Sequence, residues 1–265
     1  MKSYLFKIEA LTNMHPGSGD NNFGVVDNMV QRDPATNLPV IHGSSLKGAI
    51  KEFFGCEDNS TDAFCKQVFG DGDNSGLYRF LPAQLLAIPL RSTHKPYYMA
   101  TSPGVIRQFL DLAEKINISL PDNIKRDLEK IAGLQPGNPK VTEIVNNLII
   151  EDYEQFDNLD RIQRDTLEFL GATDSNLLVL SDKDFVQITD QNNLPVVARN
   201  KLVNGKSDNL WYEQVIPRFT VFVMPLIATD DESLWNKFKD EILSKPVQIG
   251  GNASVGYGFT RFTLI

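Results

Sequence analysis

Asn13-Met14-His15-Pro16-Gly17-Ser18-Gly19, then Gly24-Val25-Val26-Asp27-Asn28-Met29-Val30-Gln31-Arg32-Asp33, then Leu38-Pro39-Val40-Ile41-His42-Gly43-Ser44-Ser45-Leu46-Lys47-Gly48 follow one another near the start of the chain. Two glycine-rich turns, an isolated histidine and an aspartate behind two valines lead into a helix. From Leu46 the apolar positions are Leu46, Ala49, Ile50, Phe53 and Phe54, a single helical stripe. Ser44 or Ser45 is the expected N-cap and Gly55 the stop. Lys47 and Lys51 stand one turn apart, so both ammonium groups point the same way. A helix N-terminus favours anions, and Gly43-Ser44-Ser45 with Lys47 is therefore a candidate phosphate-holding turn. The P-loop spacing is absent, and a plain capped helix with solvated lysines is the other reading.

Outward from this stretch, strands and helices are mixed without strict βαβ alternation. Residues 3–11 alternate as a half-buried strand, with Tyr4, Phe6, Ile8 and Ala10 against Lys7 and Glu9. Residues 61–69 read as a short helix. Leu85–Leu90 and Tyr97–Ala100 read as strands, and Ser102-Pro103 opens a helix striped by Val105, Ile106, Phe109, Leu110 and Ala113. A further helix is expected over Asp122–Ala132, a strand over Asn147–Phe156, a helix over Leu159–Leu170 and a strand over Leu177–Leu180. Val196–Val203 and Asn209–Val215 flank Asn204-Gly205, a hairpin with its turn widened by extra polar residues. Phe219–Ile227 is an apolar strand, and Glu232–Leu243 a helix. This pattern favours an α+β fold, an antiparallel sheet with helices on one face. One domain is expected over residues 1–265, with a helical insertion at about 103–140 and a protruding hairpin at about 182–215.

The 265 residues carry a formal charge of −8 and are 42% hydrophobic. That balance belongs to an ordinary globular protein and, taken alone, opposes a general affinity for nucleic acid. Cys56 and Cys65 have no metal-type spacing, so reduced thiols in a cytoplasmic setting are expected. The N-terminus reads as a first strand and not a signal peptide, and no apolar run reaches the ~20 residues that span a membrane.

Three residues carry candidate acid–base chemistry. Asp27 offers a carboxylate to a reacting phosphate, although an aspartate in a turn also serves its own backbone. His15 is a candidate general acid or base. Glu213 lies in Leu210-Trp211-Tyr212-Glu213-Gln214, where alternation puts it on the Trp211 side. Gly250-Gly251 exposes backbone N–H groups ahead of Asn252. Asp71-Gly72-Asp73-Asn74-Ser75-Gly76 mimics the start of a calcium loop, but its twelfth position is Pro82 where a bidentate Glu is required, so an ordinary polar loop is expected.

His15-Pro16-Gly17-Ser18-Gly19, Gln31-Arg32-Asp33 and Ile41-His42-Gly43-Ser44-Ser45-Leu46-Lys47-Gly48 together resemble the N-terminal signature of the RAMP superfamily of CRISPR proteins. Gln248-Ile249-Gly250-Gly251-Asn252 with Val255-Gly256-Tyr257-Gly258 is similar to that superfamily's C-terminal glycine-rich loop. Leu85–Ser92, Leu180-Ser181-Asp182 and Leu210–Pro217 are similar to the backbone subunits of the type III-B (Cmr) effector complex. The resemblance runs nearly the length of the chain. It implies a modified ferredoxin-like (RRM-like) fold whose hairpin is a protruding thumb. Copies stack along a CRISPR RNA, and target RNA is cut at regular intervals with a divalent cation, Mg²⁺ or Mn²⁺, whose ligands no motif assigns. A non-catalytic guide-binding scaffold is the alternative.

By position in the motifs, Asp27 matches the essential acid, and His15 and Glu213 match the cleavage region. Gly43, Ser44, Ser45, Lys47, Lys51, Arg91, Gly250, Gly251 and Asn252 are the expected RNA-binding set. The implied partners are guide RNA, complementary target RNA, further copies of the chain and the other subunits of the complex, with no membrane. Pro82-Ala83-Gln84 departs from an acid- and arginine-bearing pattern, and Gln214 stands where a second acid is common.

Overall fold

The computed structural model describes residues 1–19, 26–57 and 61–265, with Leu202 described by its main chain alone. Gly24 and Val25, quoted above ahead of Asp27, lie outside the described residues. The elements run β1 (Lys2–Ala10), β2 (Val40–Ile41), α1 (Gly43–Phe53), α2 (Ala63–Phe69), β3 (Arg79–Phe80), β4 (Ala83–Leu90), β5 (Tyr98–Thr101), α3 (Pro103–Lys115) and α4 (Asp122–Ala132). They continue with β6 (Lys140–Val141), β7 (Asp157–Asn158), α5 (Arg164–Phe169), β8 (Leu177–Val179), α6 (Asp182–Ile188), β9 (Val196–Val203), β10 (Lys206–Gln214), β11 (Val221–Ala228), α7 (Glu232–Ser244), β12 (Val247–Gln248) and β13 (Phe259–Leu264).

Within the main sheet, β13, β1, β11 and β4 are neighbours in that order, and every pair is antiparallel. Taken with α1 and α7, they spell the βαββαβ ferredoxin-like unit. The alternation of β1 explains its two faces. Tyr4 stacks on Trp235 of α7 at 3.5 Å, and Phe6 meets Trp235 and Phe262. On the same side α1 reaches α7 through Phe54, whose ring stacks on Phe238 at 5.3 Å. Leu46 and Ile50, the inward positions of the α1 stripe, are fully buried. Burial of each such side chain stabilises the fold by about 1.5–3 kcal/mol.

The opposite face of β1 is not bare. Lys7 points there and donates to the Glu168 carbonyl of α5 at 2.8 Å. Phe169 of α5 in turn packs on Phe109 of α3. Helices therefore cover both faces, where one covered face was expected; the ferredoxin-like pair takes one and the segment after β5 takes the other. That segment leaves through α3 and α4 and returns to lay β8 parallel to β5, the long crossover a parallel pair requires.

Several expected boundaries move, each for a local reason. The helix expected over 159–170 begins only at Arg164. The Leu159 amide is taken by the Val141 carbonyl, and the Gln163 amide by the buried carboxylate of Asp127. Residues 147–156 form turns and not a strand, because Asn147 and Glu151 both adopt positive φ. The hairpin turn is tight: Asn204 and Gly205 both have positive φ, as a two-residue type I′ turn requires, and the extra residue is absorbed as an irregularity between Ser207 and Asn209. Helix α1 starts two residues earlier than Ser44 as N-cap would allow and three earlier than Ser45, with His42 as N-cap and no side-chain cap. Cys56 and Cys65 form a disulfide across 5.5 Å between Cα atoms, in place of the expected free thiols. Asp71 accepts the amides of Asp73 and Asn74, an ordinary polar loop. Among the described residues no helix is long and apolar enough to cross a membrane.

Candidate functional site

Four separate segments meet at the base of the β9–β10 hairpin. The first is the chain leaving β1. Met14 exchanges both backbone hydrogen bonds with Ile216 at 2.9 Å, which buries Met14 and turns His15 to the other side. His15 is itself buried, and its Nδ1 lies 2.7 Å from the Gln214 carbonyl oxygen. A carbonyl only accepts, so Nδ1 carries the hydrogen and Nε2 is the working atom. Nε2 faces Gly17, where an added Cβ would stand 3.0 Å from it.

The second segment is Asp27–Gln31. The Asp27 and Asn28 amides both donate to the Tyr212 carbonyl, at 3.0 and 3.2 Å. The Tyr212 amide returns a bond to Asp27 Oδ2 at 2.7 Å. Asp27 thus serves a backbone 185 residues away and not its own turn. It is exposed, and no described residue donates to its Oδ1. Gln31 joins this segment to α1. Its Nε2 donates to the Gly17 carbonyl at 3.0 Å and to Ser45 Oγ at 2.7 Å, and its Oε1 accepts the His42 amide at 2.7 Å. Ser45 thus accepts from Gln31 within the first turn of α1 and does not cap it.

The third segment is the end of β10. Glu213 is 5% exposed, deep inside the base of the hairpin. Trp211 Nε1 donates to Oε1 at 2.8 Å, and Oε2 receives Arg199 Nε at 2.6 Å and Asn252 Nδ2 at 2.7 Å. Burial pushes the Glu213 carboxyl up, and donation from Trp211, Asn252 and Arg199 more than reverses it, leaving it below the usual carboxylate range. An ionised carboxylate held by three donors anchors its neighbours and is poorly suited to carry a proton in flight.

The fourth segment is the glycine-rich loop. Gly250 has φ +89°, and a Cβ there would stand 2.5 Å from the His15 carbonyl oxygen. The Gly251 amide donates to that same oxygen at 2.9 Å. Asn252, at φ +68°, holds a left-handed position that asparagine tolerates best after glycine. Tyr257 lies under the Arg199 guanidinium, 4.4 Å from ring centre to carbon. Together His15, Gly17, Asn28, Glu213, Gly251 and Asn252 line a cleft of about 360 Å³. A larger hollow of about 850 Å³ against α5 is lined by Arg161, Arg164, Asp165 and Asp174, charges of both signs.

His15, Glu213, Gly251 and Asn252 are therefore brought together, with Asp27 beside them on the outward side of Asn28. Gly43, Ser44, Ser45 and Lys47 adjoin through Gln31. Helix α1 opens with its first amides unpaired within the helix, and Gly43 is required because a Cβ would collide with the Phe80 carbonyl. Lys51 follows Lys47 by one turn. Arg91 is not brought to this face. Its fork is held by Glu151, and it lies seven residues along β4 from the Gln84 that pairs with β2, roughly 23 Å away. Sequence reasoning passed over Asn28, Gln31, Arg199 and Tyr257. Asn28, Gln31 and Tyr257 stand inside the quoted stretches, whereas Arg199 does not.

A resident divalent cation does not fit these residues. Among the described residues no three of His, Cys, Asp and Glu converge. Both oxygens of Glu213 are taken and Asp27 has one to spare, fewer donors than a hard cation needs.

The model of the RAMP superfamily matches residues 7–261. The CRISPR system Cmr endoribonuclease Cmr4 of Pyrococcus furiosus is 29% identical, over 100% of this chain and 96% of its own length. A chain of the type III-B Cmr-beta assembly in its apo state superposes with a TM-score of 0.82 at 25% identity, covering 100% of this chain and 97% of that one. A chain of the Cmr-beta assembly bound to cognate target RNA gives 0.79 at 25% identity, with the same coverage. With the match running from Lys7 to Arg261, through sheet, hairpin and glycine-rich loop alike, the chain belongs to the RAMP superfamily.

Proposed function

We propose that this chain is a backbone subunit of a type III-B CRISPR effector complex. Copies of it hold a guide RNA and cut the paired target RNA at the base of each hairpin. The observation that carries the reading is the meeting of His15, Asp27 and the glycine-rich loop at the root of a projecting hairpin, in a chain matched over its whole length by an endoribonuclease of such a complex. The target-bound relative supports RNA as the substrate.

The chemistry follows from the free atoms. The spare oxygen of Asp27 takes the proton of a 2′-hydroxyl as that oxygen attacks the adjacent phosphorus. The bond from phosphorus to the 5′-oxygen breaks, and the imidazolium form of His15 gives its Nε2 proton to the departing oxygen. The products are a 2′,3′-cyclic phosphate and a 5′-hydroxyl. Holding the three reacting atoms in line is the larger part of the task, and a nucleotide displaced at the hairpin frees the backbone to adopt that geometry. Lys47, Lys51 and the first amides of α1 serve the guide phosphates, while base pairing reads sequence. Local cations on one face thus coexist with a net charge of −8. A divalent cation enters this scheme as a companion of the RNA.

A scaffold without catalysis is favoured by one fact: Asp27 and Glu213 both fasten the hairpin. Asp27→Asn separates the two readings, because the amide oxygen still accepts the Tyr212 N–H while the charge is lost. The complex is reconstituted with guide RNA and given complementary RNA, with and without EDTA. Evenly spaced cuts are expected from the wild type and none from Asp27→Asn, with guide binding retained. Cutting by Asp27→Asn at the wild-type rate would leave the scaffold reading, and cutting that survives EDTA would remove the cation.

A further inference from the structure

The outer side of the hairpin base carries a side chain that the cleft does not use. Strand alternation divides β10: Trp211 and Glu213 turn to the glycine-rich loop, so Tyr212 turns the opposite way. Tyr212 is 38% exposed, and among the described residues its ring makes no ring contact and its hydroxyl no hydrogen bond. Its backbone is nevertheless held at both groups, accepting from Asp27 and Asn28 and donating to the Asp27 carboxylate. Exposed Val196 and Leu210 stand on the same side of the hairpin, with Ala198 directly across from Tyr212. A flat ring with small apolar neighbours, clamped to the proposed catalytic acid by its own main chain, has the features of a platform for a flat apolar ligand.

We infer that Tyr212 stacks on the nucleobase next to the attacked phosphate and so sets which phosphate Asp27 meets. The inference rests on the function proposed above. A nucleobase is the occupant because the main chain that carries the ring is bonded to a carboxylate whose proposed substrate is RNA, and stacking accepts any base, as a guide-programmed cutter requires. The inner side of the hairpin is closed to such a ligand by the Arg199–Tyr257 stack.

The test uses the assembled complex with guide RNA and a target carrying 2-aminopurine at each nucleotide across one cutting interval. A 2′-deoxy sugar at the cut site keeps that target whole. Fluorescence at one flanking position should be quenched by the wild type and by Asp27→Asn, lost in Tyr212→Ala, and restored in Tyr212→Phe and Tyr212→Trp. With all-ribose target, Tyr212→Ala should lower kcat/KM of cutting roughly ten- to a hundred-fold and spread the cut over neighbouring phosphates. Quenching that persists in Tyr212→Ala overturns the inference. So does loss of the assembly itself by sedimentation, which would make the ring a contact between protein chains. Failure of Asp27→Asn to stop cutting, with quenching intact, would count against the catalytic reading and leave the stacking in place.

Discussion

Replacing Glu213 by alanine should loosen the hairpin base by about 4 kcal/mol, a figure that follows from its three donors. The carboxylate is 5% exposed and Arg199 beside it 17%. Removing one partner of a buried ion pair costs about 3–5 kcal/mol, because the charge left behind has no counter-ion. Arg199 is poorly placed to recover, since its Nη2 is already buried without an acceptor and its guanidinium is pinned over Tyr257. Trp211 and Asn252 can turn to water in the open cleft, which holds the total near the middle of the range. Glu213→Gln keeps volume and an acceptor and should cost about half as much. Urea unfolding of wild type, Glu213→Ala, Arg199→Ala and the double variant gives the coupling, expected at about 2–3 kcal/mol. Hydrogen exchange should locate the loss at β10 and at residues 250–258. The pH dependence has a definite sign. The folded carboxyl lies below its unfolded value, so its contribution is present at neutral pH and lost as pH falls through the folded value. Wild type and Glu213→Ala should therefore converge in acid. A cost under about 1 kcal/mol, or single effects that add to within about 0.5 kcal/mol, would refute the assignment of Glu213 as the anchor.

Two further substitutions test the frame around the site. Asp127 is fully buried and takes the Gln163 amide at 2.7 Å, Thr166 at 3.4 Å and Lys130 at 2.8 Å; Asp127→Ala should cost about 3 kcal/mol in urea unfolding while guide binding stays at the wild-type level. Gly250→Ala forces an alanine to φ +89° with its Cβ 2.5 Å from the His15 carbonyl oxygen, and should lower stability by about 2–3 kcal/mol by thermal melting. Gly251→Ala, whose nearest atom would be 3.8 Å away, should melt within about 1 kcal/mol of wild type, and equal effects at the two positions would refute the close-approach argument.

What could be read from the chain alone was what is local. The alternation of Tyr4, Phe6 and Ile8, the stripe from Leu46 to Phe54 and the Asn204-Gly205 turn each follow from a few neighbouring residues, and each stands in the structure. The cluster Arg199–Glu213–Asn252 does not, because its members come from two strands and a loop with no common pattern. Gln31 illustrates the same limit from the other side. A glutamine in a turn has no special propensity, yet its three hydrogen bonds tie Gly17, His42 and Ser45 into one unit. The helix expected from Leu159 failed for a long-range reason too: Asp127 and Val141 had claimed its first amides. The overall charge misled in a related way, since a sum over the chain says nothing of where Lys47 and Lys51 stand.

The division of labour along β10 explains why the hairpin base must hold a single register. Trp211 and Glu213 face the glycine-rich loop, while Tyr212 faces out beside Asp27. A slip of one residue would exchange these sides, burying the phenol and exposing a carboxylate whose three donors remain inside. Three separate contacts oppose that slip: Met14 with Ile216, Asn28 with Gln214, and Asp27 with Tyr212. All lie on the body side of the hairpin, whereas the irregularity between Ser207 and Asn209 lies toward its tip. Register errors that arise at the turn are therefore absorbed before they reach the site. The tip is free to vary in length and shape while the geometry between Asp27, His15 and the outward face of Tyr212 stays constant.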